Sequence, residues 1–338
     1  MRTGKIYFIG FFKNLLLLGI SVFLSAELAV RFTGVDFLML KPLLYYQTSD
    51  IEVQQMSPNP NRLYQLKPGA KTLTTEFQKP VSINSLGFRG PEKSAKKPSG
   101  VTRIVCLGGS TTYGAAVSDT ETFPYYLEET LNRGYKGKFE VLNAGLCANV
   151  LGSETAYARE ILEKYDPDIF IFQHGNQGRR AFPPDTPYAH FFYSNPQLFL
   201  ENLRFLPFPK SAVGLWVLRH SAAYRAAVIL ANCFMFIPQN NPAYDGEQYN
   251  LDVFAAFYRE VAPGKPVLLF PLKMLCDFPG QDLTKMVQET RVPVIKIFDK
   301  QPNLPSEYFM VHPPAHVYKW YAQGIAEELR KNGLVSKK

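Results

Sequence analysis

From Thr102 onward the chain alternates short apolar runs with helical stretches, and this alternation constrains the fold more than any other feature. Arg103–Leu107, Phe139–Leu142, Ile169–Phe172, Pro266–Phe270 and Pro293–Phe298 read as strands, giving a central sheet of about five. Between them the spacing turns helical. Phe123, Leu127 and Leu131 fall on one helix face, with Thr120 or Thr122 as cap and Pro124 in the first turn. Glu154–Lys164 and Leu283–Glu289 read as further helices. Val317, Tyr321, Ile325 and Leu329 mark the last one, which Gly333 stops. Strands that read as continuous apolar runs are buried on both faces, as in a parallel sheet. The expectation is an α/β protein whose sheet is covered by helices on both sides.

Three segments lie outside that rhythm. Residues Ile6 to Ala26 are almost wholly apolar, long enough to cross a bilayer as a helix. Arg2, Lys5 and Lys13 precede the most apolar part, Leu15–Leu24, which predicts a cytoplasmic N-terminus and an exported remainder. A cleaved leader shares this charge layout, but Ser25-Ala26-Glu27-Leu28-Ala29 is a poor cleavage site, so residues 1–32 are read as a retained anchor. A buried N-terminal helix is the other reading, favoured by Lys13. Residues 33–100 form an extended lead-in packed on the domain edge, ending in the exposed linker Pro91–Pro98. The main domain spans 101–334. It is interrupted at about 179–247 by a Pro- and aromatic-rich insertion with a helical pattern from Ala212 to Phe236. That insertion reads equally as a lid or substrate wall and as an extra helical or membrane-near layer.

The chain of 338 residues carries a net charge of +8, with basic residues scattered apart from Lys93–Lys97 and Lys337–Lys338. No basic stripe interleaved with stacking aromatics is present, so nucleic acid is not the expected partner. Anionic surroundings such as lipid headgroups or acidic glycans fit better. Cys106, Cys147, Cys233 and Cys276 form no Cys-x-x-Cys pair, which argues against a zinc or redox motif. Cys106 lies in an apolar run and is expected to be buried.

Four polar motifs fall at strand ends or in the loops that follow. Leu107-Gly108-Gly109-Ser110-Thr111-Thr112-Tyr113-Gly114 follows the first strand directly. A serine there is presented by a glycine-rich turn with backbone N–H groups free to hold an oxyanion. The alternative is an ordinary βα loop with a Ser/Thr cap. The motif fits neither the dinucleotide fingerprint nor the P-loop. Leu142-Asn143-Ala144-Gly145 ends the second strand and His174-Gly175-Asn176-Gln177-Gly178 the third. Val311-His312-Pro313-Pro314 precedes the last helix. In a parallel sheet these positions converge on one edge.

Taken in this order, the residues resemble the SGNH/GDSL hydrolase family, matching its serine, glycine, asparagine and histidine as Ser110, Gly145, Asn176 and His312. The lead-in Ile83-Asn-Ser-Leu-Gly-Phe-Arg-Gly90 also looks like a segment of anchored bacterial members. The resemblance runs from about Thr102 to Leu334 and implies a three-layer α/β/α flavodoxin-like fold. It implies a serine esterase with Ser110 as nucleophile and His312 as base, acting through an acyl-serine. Ser110, Gly145 and Asn176 would form the oxyanion hole, and neither cofactor nor metal would be needed. The substrate class it implies is an ester such as an O-acylated carbohydrate outside the cytoplasm. Alternatives are an O-acyltransferase and a catalytically silent glycan-binding domain. Three departures stand out. Gly109 replaces the usual Asp; Gln177 occupies the usual asparagine spacing; and Phe309 replaces the Asp three residues before the histidine, leaving Glu307 as a substitute. His316, one turn after His312, reads as solvent-facing.

Overall fold

The computed structural model describes all but residues 1, 36–50, 58, 60, 61, 63, 75, 76, 148, 175–212, 214, 215, 218, 219, 235–245, 274–282 and 302. Asn176, Gln177 and most of the insertion therefore lie outside the described residues. The N-terminal helix α1 spans Arg2–Thr33. Its stretch Lys13–Thr33 has a mean hydropathy of 1.9 and is not buried against the rest of the chain. By length and composition it is able to cross a membrane.

Two small antiparallel pairs follow, β1 (Gln54–Met56) with β2 (Tyr64–Leu66) and β3 (Lys71–Leu73) with β4 (Pro80–Ser82). The main body then runs β5 (Val101–Gly108), α2 (Ser110–Tyr113), α3 (Phe123–Gly134), β6 (Lys138–Gly145), α4 (Leu151–Tyr165) and β7 (Ile169–His174). It continues with α5 (Ala222–Phe234), α6 (Gly246–Val261), β8 (Val267–Pro271), α7 (Thr284–Thr290) and α8 (Ala315–Lys331). The four long strands form one parallel sheet in the order β6-β5-β7-β8. This is the flavodoxin-like order, in which the first strand lies inside and the chain reverses direction across it.

Alternate residues of each strand feed opposite layers. Ile104, Cys106, Ile169, Ile171, Leu268 and Phe270 pack with Phe123, Leu127 and Leu131 of α3 and with Val317, Tyr321, Ile325 and Leu329 of α8. Val105, Leu107, Phe170, Phe172, Val267 and Leu269 pack with Leu151, Ala158 and Ile161 of α4 and Leu251, Phe254 and Phe257 of α6. The two-residue strand period thus builds a three-layer α/β/α body. Cys106 is fully buried in it.

Two sequence expectations change. The fifth strand, Pro293–Phe298, shrinks to one parallel bridge between Val294 and Leu269. Leu269 N–H donates to the Pro293 carbonyl and Ile295 N–H to the Leu269 carbonyl, after which the chain tightens into a 3-10 turn at Phe298–Lys300. Pro293 has no N–H to extend the ladder. Helix α6 falls in a stretch where no element was expected, and serves as the crossover from β7 to β8. The Pro91–Pro98 linker is exposed but fixed. The fully buried Arg103 donates to the carbonyls of Ser94 (2.8 Å) and Ala95 (3.0 Å) while pairing with Glu140 at 2.8 Å. Lys93 and Lys97 pair with Glu128 and Asp168.

Helix α4 carries an unusual group in its first turn. Glu154 is fully buried and Oε2 has no hydrogen-bond partner among the described residues. Burial pushes its carboxyl up to about 8, so the folded protein keeps it protonated at neutral pH. The unfolded chain releases that proton near the ordinary carboxylate value, whereas the folded chain releases it only near pH 8. Between those values the native state binds the extra proton, and stability falls as pH rises, by roughly 1.4 kcal/mol per pH unit. Glu154→Gln is expected to remove this slope. Denaturant melts at pH 5 and pH 8 should show the variant gaining on wild type as pH rises; parallel curves would contradict the protonated assignment.

Candidate active site

Ser110 stands directly past the carboxyl end of β5, at the point where the strand order reverses, which is where open α/β sheets place their ligands. It is the first residue of the four-residue helix α2, whose N-cap is Gly109 and whose C-cap, Gly114, is left-handed at φ 94°. A helix this short leaves the Ser110, Thr111 and Thr112 N–H groups without intrahelical acceptors. The turn is tight on all sides. A Cβ on Gly108 would lie 2.2 Å from Thr112 Oγ1 and 2.8 Å from Gln173 Oε1. Thr112 Oγ1 donates to Gln173 Oε1 at 3.1 Å, tying the turn to the end of β7.

His312 reaches this turn from the loop before α8. Its Nε2 lies 2.8 Å from Ser110 Oγ, across a sequence separation of 202. Ser110 is buried and His312 half-buried. The loop is pinned one residue earlier, where Thr111 Oγ1 donates to the Val311 carbonyl at 2.7 Å. For Nε2 to accept the serine hydrogen the imidazole must be neutral with its hydrogen on Nδ1.

The other sequence candidates are placed as follows. Phe309 packs against Phe298, ring centroids 6.0 Å apart, at the margin of the core. Glu307 Oε1 lies 2.8 Å from Nε2 of His316, an exposed histidine, so the carboxylate in this loop is engaged by the second histidine. Gly145 pairs with Gly108 across the β5–β6 ladder, and its N–H donates to Asn143 Oδ1 at 3.0 Å. That N–H, assigned from the sequence to an oxyanion, is captured locally by a side chain two residues back. What Gly145 supplies sterically is plain. A Cβ there would fall 2.1 Å from the Tyr113 nitrogen and 2.5 Å from the Thr112 carbonyl carbon, so only glycine lets α2 sit on β6. Among the described residues no group of three His, Cys, Asp or Glu side chains is arranged to hold a metal.

Sequence reasoning missed Arg89. Its side chain is fully buried behind the Ser110 turn. Nη1 donates to the Tyr113 carbonyl (2.9 Å) and the Gly114 carbonyl (2.7 Å), and Nη2 to the Val117 carbonyl (2.6 Å). Nε pairs with Asp119 at 2.9 Å, and the guanidinium lies 4.6 Å from the Tyr113 ring centroid. The terminal carbonyls of a helix need donors, and a planar cation with five N–H groups supplies several at once. The lead-in is held here as well, by an Arg89–Asn143 bridge to β6. Arg89 lies in Ile83–Gly90, the lead-in segment likened above to anchored bacterial members, but nothing in that segment marks the arginine as buried.

Two substitutions test this frame. Arg89→Met takes the cation from Asp119 and a charged donor from the Tyr113, Gly114 and Val117 carbonyls, a loss that typically costs about 3–5 kcal/mol. It is expected to lower the melting temperature by roughly 10 °C. Gly145→Ala, which drives a methyl into backbone, is expected to cost at least about 1–3 kcal/mol. Melting temperatures within a degree or two of wild type for both would contradict the packing described.

No family model and no curated protein matches the chain. Solved structures similar to it include a catalytic mutant of Axe2, an acetylxylan esterase from Geobacillus stearothermophilus (13% identity, 69% of this chain and 94% of that one, TM-score 0.39). A putative lipolytic protein of the G-D-S-L family from Desulfitobacterium hafniense matches at 14% identity, over 67% of this chain and 98% of that one, with a TM-score of 0.36. The psychrotrophic esterase EstA from Pseudoalteromonas sp. matches at 11% identity, over 68% and 97%, with a TM-score of 0.39. At these values the likeness is one of chain path. The chain is a three-layer α/β/α protein with a parallel sheet in the flavodoxin-like order, and that conclusion stands on its own strand pairing.

Proposed function

We propose that this protein is a membrane-anchored serine hydrolase of the SGNH type, acting on ester bonds outside the cytoplasm. The observation that supports it is the 2.8 Å contact between Ser110 Oγ and His312 Nε2 at the carboxyl edge of the sheet. A hydroxyl and an imidazole at that distance are an activated nucleophile and its base. His312 takes the hydroxyl proton as Ser110 Oγ attacks the ester carbonyl. The oxyanion is held by the Ser110 N–H and by the side-chain amide of Asn176 or Gln177; Gly145 N–H takes part only by sharing the hydrogen it gives to Asn143. Collapse releases the alcohol, protonated by His312, and leaves an acyl-serine. Water then cleaves the acyl group, or a sugar hydroxyl accepts it. An O-acylated envelope or extracellular carbohydrate is the substrate class we favour. Export through α1 is the reason, since it places the domain among such polymers.

One observation favours a second reading, a catalytically silent SGNH-like domain that binds a glycan. Phe309 stands where the family pattern has an aspartate, and its ring is turned to Phe298. An orienting carboxylate stabilises the imidazolium that forms during attack, and a phenyl ring does not.

The full chain in detergent separates the two. Under the hydrolase reading a fluorophosphonate probe labels the wild type, Ser110→Ala abolishes labelling, and His312→Ala slows aryl acetate hydrolysis by about 10²–10⁴-fold. Labelling that persists in Ser110→Ala, or a wild type that is never labelled, sinks the hydrolase reading and leaves the binding domain. For topology, alkaline phosphatase fused after residue 100 is expected to be active; an inactive fusion places the domain in the cytoplasm.

A further inference from the structure

Helix α5 belongs to the insertion, lies outside the three layers, and has no part in the chemistry above. It begins on the anchor. The Glu27 carboxylate of α1 accepts hydrogen bonds from Ser221 Oγ (2.8 Å), Ala222 N–H (3.0 Å) and Ala223 N–H (2.9 Å). Ser221 Oγ in turn accepts from Tyr224 N–H at 3.1 Å. Arg31, one turn further along α1, pairs with Glu27 at 2.6 Å and donates to the His220 carbonyl. One carboxylate thus satisfies the exposed N–H groups that open α5, and one guanidinium neutralises it. Such a knot, joining positions 194 apart in sequence, ties the insertion to the anchor at a defined level.

What α5 and the turn before it present is apolar. Ala222–Phe234 contains one charged residue, Arg225. Trp216 is 61% exposed, Val213 58% and Leu230 47%. On α1, the helix that α5 packs against, Leu16, Leu24, Leu28 and Phe32 are uncovered too. Exposed apolar side chains in this number, on two helices packed together, mark a surface that meets something other than water. The Trp216 ring stacks on His220 at 4.7 Å beside Arg31, near the C-terminal end of α1. Tryptophan and basic side chains at the end of a spanning helix sit at headgroup level. We infer that helix α5, together with Val213 and Trp216 ahead of it, is a second membrane-contacting element, lying at the interface of the outer leaflet and docked on the anchor through Glu27. The inference rests on α1 being a retained anchor, and its partner is the lipid bilayer itself.

The chain has two tryptophans, which makes the test direct. Trp320 packs against Phe298 and Tyr308 in the main body, ring centroids 5.3 and 5.1 Å away. The full-length Trp320→Phe variant, reporting Trp216 alone, is reconstituted into phosphatidylcholine–phosphatidylglycerol vesicles with and without brominated acyl chains. Trp216 emission is expected to fall in the brominated vesicles, more for bromines near the headgroup than near the chain end. Trp216→Phe, reporting Trp320, is expected to keep its emission. Adding Glu27→Ala to the first variant is expected to weaken the quenching, with circular dichroism confirming that the body is folded. Unquenched Trp216 in a chain that alkaline carbonate does not extract overturns the inference and leaves the anchor standing. Quenching untouched by Glu27→Ala overturns the docking at Glu27. Extraction by carbonate removes the anchor reading, and this one with it.

Discussion

The candidate site depends on two strand ends meeting with no side chain between them. Gly108 and Gly145 pair across the β5–β6 ladder, and α2 rests on the space that a Cβ at Gly145 would fill. Leu146 N–H donates to the Gly108 carbonyl at 3.0 Å, closing the same corner from the other side. With the turn seated this low, Ser110 points across the sheet edge to His312 while Thr111 and Thr112 grip the neighbouring segments. Three consecutive side chains thus reach the His312 loop and the end of β7. The turn is held in place because its backbone has nowhere else to go.

Two buried cations extend that hold beyond the sheet. Arg89 holds the carbonyls behind the Ser110 turn, and Arg103 holds the linker at the opposite end of β5. A buried charge is costly unless its donors are met, and each of these guanidiniums meets a carboxylate together with several carbonyls. The lead-in is therefore a structural part of the domain. Removing it would take Arg89 away from the carbonyls and Asp119 that it pairs with, and the Ser94 and Ala95 carbonyls away from Arg103, so the boundary near residue 100 that the composition suggests is not an energetic boundary.

How much of this was legible follows from what the signals measure. The three-layer body was, because parallel strands buried on both faces leave apolar runs, and α3 and α8 leave their spacing at Phe123, Leu127 and Leu131 and at Val317, Tyr321, Ile325 and Leu329. The Ser110 turn and the His312 loop were visible as motifs, because glycines and polar residues at strand ends break an apolar pattern. Helix α6 was not, because Gly246–Val261 mixes charges and aromatics and its buried face emerges only against α4. Arg89 was invisible because an arginine in a loop reads as surface until the carbonyls it satisfies are in place. The bridge at Val294 was overread as a strand because an apolar run gives no hint of how few ladder bonds follow a proline.

Under the hydrolase reading proposed above, the role of Phe309 turns on what His312 needs before and after proton transfer. Nε2 faces Ser110, and the loop that carries it is held by packing on either side. Thr111 clamps the Val311 carbonyl, and the ring of Phe309 is set among the aromatics at the base of α8. After transfer the ring carries a positive charge, and a phenyl group offers it nothing. The one carboxylate in the loop, Glu307, is already engaged by His316. Aromatic packing thus stands at position 309, where the family pattern has a carboxylate, and fixes the segment that leads into the His312 loop.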